Sequence, residues 1–471
     1  MSIAEKSSGL TREVAAFVTQ TRYSDLPADV VQMAKRCMVD GIGVMLAGSR
    51  EPCAQIARRH AESFGGNSEA RTWGEGSLGL PAPLAALANG IAGHALDWDD
   101  TALSREADRT VLIHPTMQPL CAALAVGEAR GATGQDILTA FILGFEVQVK
   151  IAEAMNADHF VYGRGYHTTG TIGVFGAAVT ASRLMGLSVD QTVHAIALAA
   201  TMSSGLGENH GTMAKPLNMG HAAEGGVTAA RLAALGYDGP VTALEGERGF
   251  FACFGGGHDP SRIRGRLGNP WAILDPGTSI KPYPSGVVGH PGMDAMRDLV
   301  TAHDIQPDAI ARIVVRTGPN VVKPGPLRIA HAHTALEGRF CVAFQMAAIA
   351  LRRKAGLAEF SDEFVSSDAC QRMQQRVDVS VAPHIAQLGK DRVAFEIDIV
   401  TTDGRTHSAK SEEHYRGGPR NPLAWDDLCN KFRDCSGPLL TTDQQDAMLH
   451  MLNNIESLSD VRDLVALAQP L

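Results

Sequence analysis

The 471-residue chain is poor in several things, and each shortage removes a class of function. Aromatic residues make up only 5 % against 49 glycines, a mixture that favours closely approaching helices over an aromatic-rich sheet sandwich. There is no long basic run and the formal net charge is −9, so nucleic acid is not an expected partner. An anionic substrate stays open, because local groups at a site outweigh the global balance. The eight cysteines are scattered, with no CxxC and no His/Cys ligand spacing, and read as reduced core thiols of an intracellular protein. No run of 18 uncharged apolar residues occurs, which argues against a membrane span. The start, Met-Ser-Ile-Ala-Glu-Lys-Ser-Ser, lacks the apolar core of a secretory signal, so a cytoplasmic location is expected. A GxSxG elbow and a GxxxxGK[ST] loop are both missing, against a serine hydrolase and a phosphate-loop nucleotide site.

What is present is helical punctuation. Pro27 opens Ala28 to Ala47 with an apolar face and Gly48 closes it; Pro115 is read as a first helical residue, with Gly131 as the stop. Thr133-Gly-Gln-Asp136 and Ser188-Val-Asp-Gln191 are capping-box starts, and His221 to Leu235 is a further helix closed by Gly236. No alternation of strands and helices appears before Pro270, which disfavours a Rossmann-type sheet. After it, Ala311 to Arg316 and Arg392 to Val400 alternate as half-exposed strands, and Thr402-Asp-Gly-Arg405 supplies a hairpin turn. Helices at Pro291 to Val300 and Leu336 to Arg352 interleave with them. The expectation is a mainly α protein: a large, discontinuous helical domain (1–269 and 411–471) and a smaller α+β domain (270–410).

Four stretches carry candidate chemistry. Gly93-His94-Ala95-Leu96-Asp97-Trp98-Asp99-Asp100-Thr101 puts three carboxylates at the mouth of a small-residue core helix, where unpartnered ions are expensive. If the helix continues, Asp97, Asp100 and Thr101 share one face; a solvated, self-capping helix end is the plain alternative. Gly163-Arg164-Gly165-Tyr166-His167-Thr168-Thr169-Gly170 leads into a helix whose N-terminus, with Arg164 and His167, suits an anion, and equally reads as a capped loop with a surface arginine. Lys215 sits between apolar residues just before the helix from His221, with Asn209, His210 and Asn218 nearby, and is read as aimed at an anion. Lys281-Pro-Tyr-Pro-Ser285-Gly-Val-Val-Gly-His290-Pro291 repeats the His-Pro arrangement of His114-Pro115. Two such helix starts would keep both imidazoles neutral and base-competent, although each also reads as an ordinary neighbour of a helix cap. A metal is not expected, because Asp97-x-Asp99-Asp100 lacks a second acidic cluster and His331-x-His333 lacks a third ligand.

In order along the chain, Tyr23-Ser-Asp-Leu-Pro-Ala-Asp-Val-Val, His94 to Thr101, His114-Pro115, Gly165-Tyr-His167, Lys215-Pro-Leu-Asn-Met-Gly, Ala233 to Pro240, Lys281-Pro-Tyr-Pro and Gly418-Pro-Arg-Asn-Pro-Leu resemble the MmgE/PrpD family. That family includes 2-methylcitrate dehydratases, cis-aconitate decarboxylases and iminodisuccinate epimerase. The resemblance implies a helical domain with an α+β lid, a site in the cleft between them, a homodimer, and no metal or organic cofactor. Carried over position by position, it marks Asp97, Thr101, His114, His167 and Lys215. Two departures stand out. The decarboxylase branch has a histidine two residues after the proline of the lid motif, where this chain has Gly286, and the loop from Thr101 to His114 is longer than usual. Both argue against cis-aconitate as the substrate.

These residues suit removal of a proton α to a carboxylate of a small di- or tricarboxylate. Lys215, Arg164 and the start at Thr168 would meet the developing charge, a neutral His167 or His114 would take the proton, and Asp97 would orient an imidazole. Thr101, Tyr166, Lys281 and His290 complete the expected substrate-binding set. Dehydration of a 2-methylcitrate-type hydroxy acid ranks first. Epimerisation or decarboxylation shares the same carbanion-like intermediate, and a catalytically silent helical dimer is the reading from another class.

Overall fold

The computed structural model describes residues 9–103, 111–160, 163–323, 325–389, 392–412 and 414–468. Two apolar cores organise it. The larger gathers side chains from Leu10 to Ile280 and again from Leu423 to Ala468, and the smaller runs from Tyr283 to Tyr415. The C-terminal tail therefore returns to the helical body, and Ala272, Ile273 and Ile280 pack there too. None of the helices among the described residues is long and apolar enough to cross a membrane.

The body is built from α1 (Leu10–Gln20), α2 (Ala28–Gly48), α3 (Pro52–Ser63), α4 (Ala82–Ala95), α5 (Met117–Arg130), α6 (Gly134–Ala154), α7 (Gly173–Met185), α8 (Val189–Thr201) and α9 (Ala214–Ala234). The capping boxes at Thr133/Asp136 and Ser188/Gln191 form as read, each side chain accepting from the backbone N–H three residues on. Gly131 ends α5 at φ 62°, a left-handed position that suits glycine. Two readings shift. Helix α5 begins at Met117, so Pro115 lies outside it; Thr116 is the flanking residue and its hydroxyl is spent on Asp100. Helix α9 begins at Ala214, seven residues before His221, because Pro216 falls in the first turn, where no backbone N–H is needed. Lys215 is therefore helical.

Glycines set the spacing at the centre. Helix α9 lies against α4 so closely that a Cβ on Gly90 would come within 2.8 Å of Gly220 Cα, and one on Gly220 within 2.4 Å of Leu87 O. Only paired glycines allow that approach, and it brings the end of α4 beside the start of α9.

The smaller core is a four-stranded sheet covered by α10 (His290–Ala302) and α11 (Val342–Arg352). The strands β1 (Ile310–Thr317), β2 (Val377–Val381), β3 (Phe395–Thr401) and β4 (Thr406–Lys410) lie in the order β2-β1-β3-β4. Strand β2, parallel to β1, was not foreseen; the other pairs are antiparallel, and Gly404 at φ 85° turns the β3–β4 hairpin. The helix read from Leu336 to Arg352 is broken into Ala335–Gly338 and α11; between them Arg339 and Phe340 reach towards the body, while Cys341 stays in the lid core and caps α11. Arg339, 2 % exposed, donates to the Ala95 carbonyl at the end of α4 and to Glu51 Oε2 at 3.2 Å, so the lid caps that helix.

Candidate active site

Helix α4 stops at Ala95, and Asp97 turns into the left-handed region at φ 51°, a conformation that aspartate tolerates better than most residues. The idea of one helical face holding Asp97, Asp100 and Thr101 is thereby corrected. Each carboxylate instead points into a different environment. The turn is held by Lys431 Nζ donating to Trp98 O (2.9 Å) and by a two-way backbone pairing of Thr101 with Ser279 (3.1 and 2.9 Å). That pairing carries the lid-side strand past Asp97 and delivers Lys281 to it.

Asp97 Oδ1 accepts from Lys215 Nζ at 2.8 Å and Lys281 Nζ at 3.1 Å; Lys281 also donates to the Asp97 carbonyl at 2.7 Å. Burial alone would raise the Asp97 carboxyl, but the two ammonium groups hold it well below the usual range. Burial lowers Lys215, against the pull of Asp97 and Asp99. Asp99 lies 2.9 Å from His94 Nδ1 and 3.1 Å from His114 Nδ1 and is ionised, since the imidazoles outweigh its burial. Asp100 faces away from the cavity, accepting from both the N–H and hydroxyl of Thr116 (3.2 and 2.8 Å) and from Thr278 Oγ1 (2.7 Å). With no cation on it, burial pushes it up to about 7.

The contacts fix which imidazole nitrogen carries the proton. His94 Nδ1–H faces Asp99, so Nε2 accepts from Lys215 Nζ at 2.8 Å; burial takes His94 down to about 3, and it is neutral. His114 Nδ1 faces the Asp100 carbonyl at 2.9 Å as well as Asp99, so its proton is there and Nε2 presents a lone pair towards the cavity. His167 is the reverse. Asn218 Nδ2 donates to its Nδ1 at 3.0 Å, leaving the N–H on Nε2, near Thr169 Oγ1 at 3.4 Å. Burial lowers both His114 and His167. Their ring centroids lie 6.4 Å apart and both residues line one space, His114 with its Nε2 3.9 Å from Asp97 Oδ1.

That space is a cavity of about 240 Å³ between body and lid. It is lined by Asp97, Thr101, His114, Tyr166, His167, Thr168, Lys215 and Lys281, so eight of the ten expected residues converge on it. Two do not. Arg164 is exposed and donates to the Cys253 carbonyl at 3.1 Å, away from the lining of the cavity. His290 is buried behind the wall, 3.2 Å from both Ser285 Oγ and Ser285 O, and its Nδ1 has no hydrogen-bond partner. Reading the sequence also missed lining groups. Phe340 closes the lid side 5.8 Å from Lys215 Nζ, and the break at Arg339-Phe340-Cys341 left no sequence signal; His210, read as a polar neighbour of Lys215, also lines the cavity and stands edge-on to His167 at 5.1 Å. His94 and Asp99, five residues apart at a helix end, were visible in the motif but not as a support for Lys215.

His94, Asp97, Asp99 and His114 present ligand atoms within 4.8 Å of one another, a grouping that spacing along the chain did not reveal. Two ammonium groups already share the Asp97 oxygen and both His94 nitrogens are engaged, so a cation entering here would have to displace Lys215. The donor set fits internal ion pairing better than a metal.

The model of the MmgE/PrpD N-terminal domain matches residues 12–263 and that of the MmgE/PrpD C-terminal domain matches 283–457. The chain is 28 % identical to cis-aconitate decarboxylase of Homo sapiens over 473 residues, covering 97 % of this chain and 94 % of the relative. It is 27 % identical to the Mus musculus enzyme of that name (97 % and 93 % covered) and 24 % to that of Aspergillus terreus (98 % and 96 %). With its helical body and its lid both matched, the chain belongs to the MmgE/PrpD family.

Proposed function

We propose that the chain is a lyase that removes a proton α to a carboxylate of a small di- or tricarboxylate, using its own side chains. The carrying observation is the pair of neutral imidazoles with opposite tautomers, His114 offering a lone pair and His167 an N–H, above the Lys215–Asp97–Lys281 cluster. In the preferred reaction, dehydration of a 2-methylcitrate-type hydroxy acid, His114 Nε2 takes the α-proton. The C–H electron pair moves into the carboxylate, and Lys215 and Lys281 meet the developing dianion. The pair then returns to form the alkene as the β C–O bond breaks, and His167 Nε2–H supplies the proton that lets the oxygen leave as water. Asp99 and His94 hold the first imidazole and Lys215 in place. A homodimer, which the family resemblance implies, is part of this proposal.

A second reading is decarboxylation, favoured by the names of the relatives at 23–28 % identity. Breaking the C–CO₂ bond needs no base; one N–H, that of His167, would protonate the carbon left behind. Gly286, which lines the cavity where the decarboxylase branch carries histidine, speaks against it. The test is incubation in D₂O with 2-methylcitrate, citrate, cis-aconitate and iminodisuccinate, followed by NMR. Deuterium entering a hydroxy acid together with alkene formation is the expected result. Loss of CO₂ without α-exchange would replace the first reading by the second, and an inverted centre would make the enzyme an epimerase.

A further inference from the structure

The cavity has apolar walls beside its lysine pair. Leu103 and Leu112 are a directly opposed pair in the two-residue ladder Ala102–Leu103/Leu112–Ile113. The pleat sends Ala102 and Ile113, both 0 % exposed, into the body core, and therefore turns Leu103 and Leu112 to the cavity. Phe160 joins them from the body, and Val287, Val288 and Val393 face them from the lid. Among the described lining residues the permanent cations are Lys215 and Lys281, and both already neutralise the Asp97 oxygen. With Asp97 and the ionised Asp99 set against the two lysines the floor carries no excess positive charge, and the rim carries the exposed carboxylate of Asp158.

We propose that the site selects carboxylic acids bearing an alkyl substituent of several carbons, the reacting carboxylate on the lysine pair and the alkyl group between Leu103/Leu112 and Val287/Val288. This rests on the polycarboxylate reading above and names its substrate class. Six-carbon acids without such a group fill the polar end and leave the apolar walls wetted, so each added methylene that reaches the wall should tighten binding about fourfold.

The test separates binding from turnover. Calorimetry with succinate and its 2-methyl, 2-propyl and 2-pentyl derivatives gives the increment per methylene, and α-proton exchange in D₂O with citrate and its 2-alkyl series reports the chemistry. The expected result is a Kd falling about fourfold per methylene over the first few carbons, with kcat/KM for exchange rising in parallel. Leu112→Asn should flatten that slope. A Kd that is flat or rises with chain length, while unsubstituted acids bind and exchange, overturns the alkyl selectivity and leaves the carbanion chemistry standing. A Kd that tightens with chain length while nothing exchanges supports the selectivity and sinks the proton-abstraction reading. Failure of every acid to bind overturns both.

Discussion

His114-Pro115 in the body and His290-Pro291 in the lid read alike, yet the fold uses them in opposite ways. His290 does open a helix, α10, and its imidazole ends in a closed pocket against Ser285 and Tyr283. His114 opens none: two residues separate it from α5, and that slack lets it lie at the end of a short ladder, beside the cavity. Both imidazoles are lowered chiefly by burial, so neutrality alone does not mark a base. What separates them is the partner on the second nitrogen. Asp99 and the Asp100 carbonyl hold the His114 proton on Nδ1 and leave Nε2 open to the cavity, whereas His290 has its Nε2 turned to Ser285 and its Nδ1 unpartnered inside the wall. A dipeptide motif reports local backbone; the role comes from what the rest of the chain places against each nitrogen.

The largest effects should come from the groups on the cavity side of this comparison. Lys215→Ala removes one of two charges facing the developing dianion and should lower kcat/KM by roughly 10²–10³-fold. His114→Ala should cost about 10²–10⁴-fold, with α-proton exchange in D₂O lost as well, because the base itself is gone. His167→Ala should cost a similar factor in alkene formation but retain measurable exchange, since proton removal precedes its step. Equal loss of exchange in both histidine variants would break the assignment of base and acid.

Much of this was legible from residue order. The capping boxes at Thr133 and Ser188, the mainly α class and the convergence of Asp97, His114, His167, Lys215 and Lys281 could be anticipated from local spacing and from the resemblance. What could not be read is whatever depends on chain reversal. Nothing local announces that Asp97 breaks the helix rather than continuing it, since aspartate is tolerated in both conformations. Arg164 reads as an anion ligand because it precedes a helix N-terminus, but in the fold it donates to the distant Cys253 carbonyl. Phe340 enters the cavity through long-range packing between lid and body, which has no period along the sequence.

A smaller effect sharpens the same lesson with carboxylates. Asp97 and Asp100 are three residues apart and both buried, but Asp97 has two ammonium partners and Asp100 only hydroxyls and one backbone N–H. Asp100, raised to about 7, holds its proton in the fold after the unfolded chain has lost it. Its contribution to stability is thus fully present below the unfolded value near 4 and is lost as pH rises through about 7. Between pH 6.5 and 8 this amounts to a loss on the order of 1 kcal/mol. Asp100→Asn removes it. Urea unfolding at the two pH values should therefore show a shallower fall in the variant than in the parent; the buried histidines, common to both, cancel in the difference. Glu146, also raised to about 7 by burial, should preserve part of the fall in the variant. Parallel curves would mean that Asp100 is ionised in the fold.

The smallest expected effect decides the comparison itself. His290→Asn should change kcat/KM by less than about fivefold, far below the 10²–10⁴ of a proton-transfer residue. Asparagine can still face Ser285, while the buried nitrogen that lacks a partner disappears with the ring, so neither the lysine pair nor the His114 hydrogen bonds are disturbed. The pH profile carries the finer distinction. If His290 only packs, the limbs of kcat against pH stay where the parent has them. A displaced acid limb in His290→Asn would mean that its field reaches the reacting groups through Lys281, the charge that acts on it most strongly after burial. A loss as large as that of His114→Ala would make the two His-Pro starts equivalent after all, and the lid would then contribute an imidazole in place of the one missing at Gly286.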